Sequence, residues 1–143
     1  MIKTFRGQIT PGKEELIRLS TNNGLTGYTF KKFQIISTTP GQLNAELIAQ
    51  VFTRSTTPST TVSFDNPTLM AVAYSRETTG SLANFFPDST IIFEATIVNQ
   101  DLFINITDAG GGTTACNWYI ELEQIKLDLN EATVATLKDM RAT

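Results

Sequence analysis

IIFEATIVNQDLFINITDAGGGTTACNWYIELEQIKL, residues 91–127, is the stretch from which the fold is read. Three runs in it alternate with a period of two, the pattern of strands buried on one side. Residues 90–98 place Ile91, Phe93, Ala95 and Ile97 on one face and Glu94 and Thr96 on the other. Leu102, Ile104 and Ile106 continue an inner face opposite Phe103, Asn105 and Thr107, and Trp118, Ile120 and Leu122 face inward in residues 115–127. Asn99-Gln100-Asp101 is short enough to predict an antiparallel hairpin between the first two runs. Asp108-Ala109-Gly110-Gly111-Gly112 predicts the second turn as a flexible hairpin tip. After Glu123 the apolar positions become Ile125, Leu127 and Leu129, a phase slip that predicts a β-bulge or a passage between sheets. The stretch is therefore expected to be a meander that supplies much of the core.

Working outward, residues 43–53 alternate equally well after the Thr38-Thr39-Pro40-Gly41 turn, so Leu43, Ala45, Leu47, Ala49 and Val51 are expected inside. Residues 32–37 read as a strand with Phe33 and Ile35 inward, and the apolar run 68–75 as a strand covered on both faces. Residues 2–9 predict an edge strand or arm, and residues 14–20 a strand ended by Thr21-Asn22-Asn23-Gly24. Gly27 extends that loop, which makes Tyr28 the best candidate for an exposed aromatic. Residues 54–61, RSTTPSTT, read as a solvated loop tip, with a short strand at 61–64. In the long break 76–89, Phe85-Phe86-Pro87 either folds back on the core or stands out as an intermolecular anchor.

Residues 130–140 form the one convincing helix, its first free N–H groups capped by Asp128 with Glu131 or by Asn130. Its thin apolar stripe, Ala132, Val134, Leu137 and Met140, must dock on the sandwich or on a neighbouring subunit, because so short a helix is marginal alone. The fold expected is mainly β: an antiparallel, jelly-roll-like β-sandwich over residues 1–129, with residues 130–143 as the C-terminal helix and tail of the same domain.

Composition narrows the chemistry. The chain has 143 residues, 17% charged, no histidine and one cysteine, Cys116. Without histidine there is neither the commonest general base nor a Ser-His or Cys-His couple, and one cysteine allows no internal disulfide. Cys116 reads as a small core side chain beside Trp118. The 11 Lys and Arg are scattered, with only Lys31 and Lys32 adjacent, which disfavours a nucleic-acid groove. No apolar run approaches the roughly 20 residues of a membrane span, and MIKTFRGQ shows no secretion signal.

No catalytic, cofactor-binding or metal-binding residue is expected. The glycines after Asp108 lead into a strand rather than a helix, so they lack the form of an anion loop, and Asp101 and Asp108 lack calcium-loop spacing. Glu94, Glu121 and Glu123 are the only carboxylates that suggest a glycosidase pair, and outward carboxylates on strands read as a solvated face. The sequon Asn105-Ile106-Thr107 falls mid-strand and reads as chance.

The C-terminal YIELEQIKLDLNEATVATLKDMRAT, residues 119–143, and the TNNGLTGY loop, residues 21–28, resemble small structural proteins of the virions of marine tailed phages. The resemblance implies a capsid decoration, cement or tail-accessory protein located in the virion. Such a protein is non-enzymatic, is present in multiple copies as a homo-oligomer, and contacts a major capsid or tail protein. The candidate contact residues are Phe85, Phe86, Val134, Leu137, Met140 and Tyr28. The competing expectation is a carbohydrate-binding sandwich of lectin or receptor-binding type, which would expose Trp118 and Tyr119 as a sugar-stacking platform.

Overall fold

Alternation along Cys116–Leu122 is complete: Cys116, Trp118, Ile120 and Leu122 are buried, while Asn117, Tyr119 and Glu121 are half-buried on the opposite face. The computed structural model describes residues 1–19, 24–40, 45–77, 89–93 and 97–141. These residues form strands β1 (Ile2–Ile9), β2 (Lys13–Ile17), β3 (Thr26–Ser37), β4 (Ala45–Phe52), β5 (Leu69–Glu77), β6 (Ser89–Ile92), β7 (Leu102–Asp108) and β8 (Cys116–Lys126), then helix α1 (Leu129–Arg141).

The strands make two antiparallel sheets, ordered β1-β8-β3 and β2-β7-β4-β5-β6. Beyond β6 the chain crosses between them. Val98 and Tyr28 exchange both backbone hydrogen bonds, at 2.8 and 2.9 Å, so a segment that begins beside β5 ends beside β3. The pairings are nested: β1 with β8, β2 with β7, Tyr28 of β3 with Val98, and β4 with β5. This nesting makes the two sheets a jelly-roll-like β-sandwich.

The expected meander over 91–127 does not form. β6 pairs with β5, β7 lies between β2 and β4, and β8 lies between β1 and β3 in the other sheet. Alternation sets which face of a strand is buried but not which strand lies beside it. Asn99-Gln100-Asp101 carries the chain between layers instead of reversing it: Asn99 is 1% exposed, and Asp101 Oδ1 accepts from Leu19 N at 2.7 Å. Residues 109–115 likewise join the two sheets and close no hairpin. Asp108 Oδ1 holds that corner by accepting from Gly110 N at 2.8 Å and Glu46 N at 3.1 Å, and Gly111 turns with φ of 80°.

The phase slip near Glu123 also has a different origin. The β1–β8 register runs unbroken from Ile2 opposite Glu123 to Ile9 opposite Cys116. The bulge lies on β3, between Phe30 and Lys32, opposite Leu122 and Glu121. The extra residue lets the consecutive Lys31 and Lys32 share one face, where they reach Glu123 at 3.0 Å and Glu121 at 3.9 Å.

The two inner faces differ in grain. The three-stranded sheet contributes Phe30, Phe33, Ile35, Trp118, Ile120 and Leu122; β4 and β5 contribute Ala45, Ala49, Ala71 and Ala73 with Leu47 and Val51. Small residues in one layer make room for rings from the other at interior packing density. Gly7 on β1 has the same origin, because a Cβ there would lie 2.8 Å from three atoms of the Trp118 indole.

The outer face of the five-stranded sheet is covered as well. Ile48, Gln50, Phe52, Val72, Asn105 and Thr107 are all buried there. Residues 54–61 are the solvent-facing connection expected, exposed or half-buried throughout, but no strand follows at 61–64. They belong to a strap closed at its base by a hydrogen bond from Thr53 N to Thr68 O, 2.9 Å. Gln50 Nε2 donates to Ser59 O and Thr61 O, both at 3.2 Å, and Thr107 Oγ1 donates to Ser59 O at 3.3 Å. Ser55 Oγ and Thr56 N each donate to the Glu14 carboxylate at 2.7 Å. Beyond these anchors, Phe64 sets its ring edge-on to Phe93, with centroids 4.9 Å apart. The Asn105 sequon lies on the face the strap covers and is 1% exposed, so the folded chain offers no room for a glycan there.

Replacing Gly7 with alanine is expected to force the Trp118 ring from its site and lower stability by about 1–3 kcal/mol. Urea unfolding followed by Trp118 fluorescence measures this as a lower midpoint with an unchanged slope.

Candidate interaction surfaces

Helix α1 begins with reciprocal capping. Glu131 N donates to Asp128 Oδ1 at 2.7 Å, and Asp128 N donates to Glu131 Oε1 at 3.2 Å. Leu127 before the cap and Ala132 in the first turn are both buried, which sets the angle at which the chain enters the helix. The docked face is made of small residues, Ala132 and Ala135, each 5% exposed. Beneath it lies Asn99, whose two amide N–H groups are shared among Gly24 O at 3.1 Å, Ala132 O at 3.3 Å and Thr136 Oγ1 at 2.9 Å. One buried side chain thus ties the crossing segment, the loop before β3 and the helix together.

The stripe expected from sequence is divided by this docking. Ala132 faces in, while Val134 and Leu137 are 52% and 49% exposed. The Met140 side chain lies outside the described residues. Leu129, which sequence reading missed, is 75% exposed and shares a helix line with Leu137 through Thr133. Its spacing of eight from Leu137, read together with the capping box, was the available signal. Leu129, Thr133 and Leu137 with Gly24 border a shallow open depression of about 220 Å³. The outward side of α1 therefore carries Leu129, Val134 and Leu137 among exposed Asn130, Glu131 and Thr133.

Tyr28 is not the exposed ring expected. It is 8% exposed, inside β3, and bridged to Val98. Gly27 beside it serves close packing rather than a loop, because a Cβ there would meet Ile97 Cγ2 at 2.7 Å and Leu127 at 3.0 Å. Phe85, Phe86 and Glu94 lie outside the described residues.

The outer face of the three-stranded sheet is open and mostly polar, with Ile36 and Ile2 exposed at its ends. Arg6, Tyr119 and Gln34 stand in one row, Gln8 donates to Asn117 Oδ1 at 3.0 Å in the next, and the two Lys–Glu pairs follow. Trp118 is 5% exposed and points the other way, so Trp118 and Tyr119 are not a paired platform. Partial burial and a hydrogen bond with Glu121 push the Tyr119 phenol up. The hydrogen bond and charge of Lys31 hold the Glu123 carboxyl below the usual range. Glu121 and Glu123 each face a lysine on this open surface. Among the described residues no group of three potential metal ligands occurs, and no helix is long and apolar enough to cross a membrane.

No protein-family model matches this sequence, and no curated protein matches it.

Asn99→Ala is expected to leave buried acceptors unpaired and to cost about 1–3 kcal/mol. Amide exchange should accelerate first along Leu129–Leu137, before the sheets respond. The Glu123 side chain should titrate below the ordinary glutamate value in an NMR pH series. A lowered folded pKa means that its contribution is present above the unfolded value and is lost as pH falls through the folded one. Lys31→Met should move the midpoint back up.

Proposed function

We propose that this protein is a non-enzymatic structural subunit of a virion, a capsid decoration, cement or tail-accessory protein acting through protein–protein contacts. The observation that carries the reading is the outward face of α1. Leu129, Val134 and Leu137 are presented to solvent by a helix tethered through Asn99 and started by a capping box. Apolar side chains grouped on a rigid element are how a surface engages a partner without first paying to order itself. The major capsid or tail protein of the particle is the proposed partner, with several copies of this chain per particle.

Three further features support the reading. Jelly rolls serve as viral capsid domains and as lectin domains, so the fold admits this role without deciding it. Buried Trp118 weighs against the lectin alternative, because it removes one of the two rings a sugar would stack on. Lys31 and Lys32, the only adjacent cations, each face a glutamate, which fits a chain that does not bind nucleic acid.

Deleting residues 130–143 would also uncover Asn99, so surface substitutions make the sharper test. Val134→Asp combined with Leu137→Asp should change stability by no more than about 0.5 kcal/mol per site, since both side chains are exposed. The double variant should co-sediment with particles several-fold less than the wild-type chain when both are expressed during particle production. Equal incorporation of a normally folded variant would overturn the proposed role of the helix face.

A further inference from the structure

We infer that β1 is a self-association edge, on which a second copy of the chain pairs antiparallel, β1 against β1, about a two-fold axis at Phe5. The inference deepens the assembly reading, and rests on it, by naming the contact between copies.

The case begins with which backbone groups are free. Met1 and Gln124 exchange hydrogen bonds, Gln124 N to Met1 O at 2.8 Å and Met1 N to Gln124 O at 3.4 Å. Antiparallel ladders alternate bonded and non-bonded pairs, and the β1–β8 register is unbroken. Lys3, Phe5, Gly7 and Ile9 therefore direct their N–H and C=O groups toward β8. Ile2, Thr4, Arg6 and Gln8 direct theirs away from the sheet, where no described residue pairs with them.

The other edges are guarded in ways that β1 is not. β2 is five residues long, with Lys13, Glu14 and Glu15 in succession. β6 is four residues long. β3 carries a bulge, Lys31 and Lys32, and is met at Tyr28 by Val98. Short length, charges, bulges and covering segments are the devices that stop strands from adding to an edge. β1 has eight residues, no proline, no bulge and no covering segment among the described residues, and its two charges, Lys3 and Arg6, lie on opposite faces.

One register suits self-pairing. Centred on Phe5, it sets Ile2 opposite Gln8 of the second copy and Thr4 opposite Arg6, so all four outward residues bond. Lys3 faces Gly7 and Arg6 faces Thr4, so no like charges stand directly opposite each other. A register shifted so that Arg6 faces its own copy opposes two guanidinium groups, which is destabilising. A shift the other way, onto Thr4, leaves Gln8 unpaired. The two Phe5 rings, each partly buried at the rim of its own core, come together on the inner side. The result is a continuous six-stranded sheet, the isologous contact that two-fold symmetry requires.

Light scattering on the purified chain tests this. The wild type is expected at twice the mass of one chain. Thr4→Pro removes only an outward N–H and leaves the β1–β8 ladder whole, so it should halve the mass while keeping the wild-type circular dichroism. Phe5→Cys brings two thiols to a non-bonded pair with Cα atoms about 4.5 Å apart, within disulfide reach. Mild oxidation should cross-link it, whereas Thr4→Cys, facing Arg6, should not cross-link. Cys116 is fully buried and does not compete. A monomeric wild type with no Phe5→Cys cross-link would overturn the inference. So would a dimer that survives Thr4→Pro and does not cross-link through Phe5→Cys. Either result leaves the helix-face test on particles standing as a separate measurement of the assembly reading.

Discussion

Two-sided pairing of β8 is the constraint on which the rest of the molecule depends. One edge of this strand bonds β1 and the other bonds β3, so its own backbone groups are satisfied within the sheet. Its inner face carries Cys116, Trp118, Ile120 and Leu122, none more than 5% exposed, and these occupy the middle of the core. Gly7 is small because Trp118 lies against it. The bulge on β3 adapts that strand to an uninterrupted β8, and the end of β8 leads directly into the capping box of α1.

Features that depend on neighbours in sequence were readable from sequence. The inward faces of β4, β7 and β8 follow from alternation, and the start of α1 follows from Asp128 and Glu131, whose hydrogen bonds span three residues. What could not be read was pairing. Backbone hydrogen bonds are the same for every residue type, so nothing in 91–127 says that β7 joins β2 and β4 while β8 joins the opposite layer. Asn99 had the composition of a turn residue, and only its burial beneath α1 shows that it is a tether. Gly27 had the composition of a loop residue, and only Ile97 and Leu127 reveal why a side chain is excluded there.

The strap illustrates a subtler limit. Its serines, threonines and proline look the same whether they face water or lie on protein. The clue was in the strand beneath it: among the supposedly outward residues of β4, Ile48 and Phe52 are apolar, and Gln50 between them offers an amide with two donors to place. An apolar outer face asks for a cover, and the cover here is held largely by side chains meeting main-chain carbonyls. Of the candidate surface, Val134 and Leu137 could be named from the sequence. Leu129, the most exposed of the three, reads by alternation as part of the strand before it, and only the Asp128–Glu131 cap assigns it to the helix.

Nested pairing also sets a timetable. Ile9 meets Cys116 and Ile2 meets Glu123, so β1 leaves a ribosome well before the β8 it pairs with. The innermost nested pair, β4 with β5, and the still more local pair, β5 with β6, can close early, with β7 and then β8 adding outward. A topology dominated by such distant contacts folds slowly. During that interval the unsatisfied strand is β1, the longest-waiting segment and the one with the fewest guards. Crowded synthesis, in which many copies emerge together, is where that delay matters most: strands that have waited for their own β8 are then surrounded by those of their neighbours.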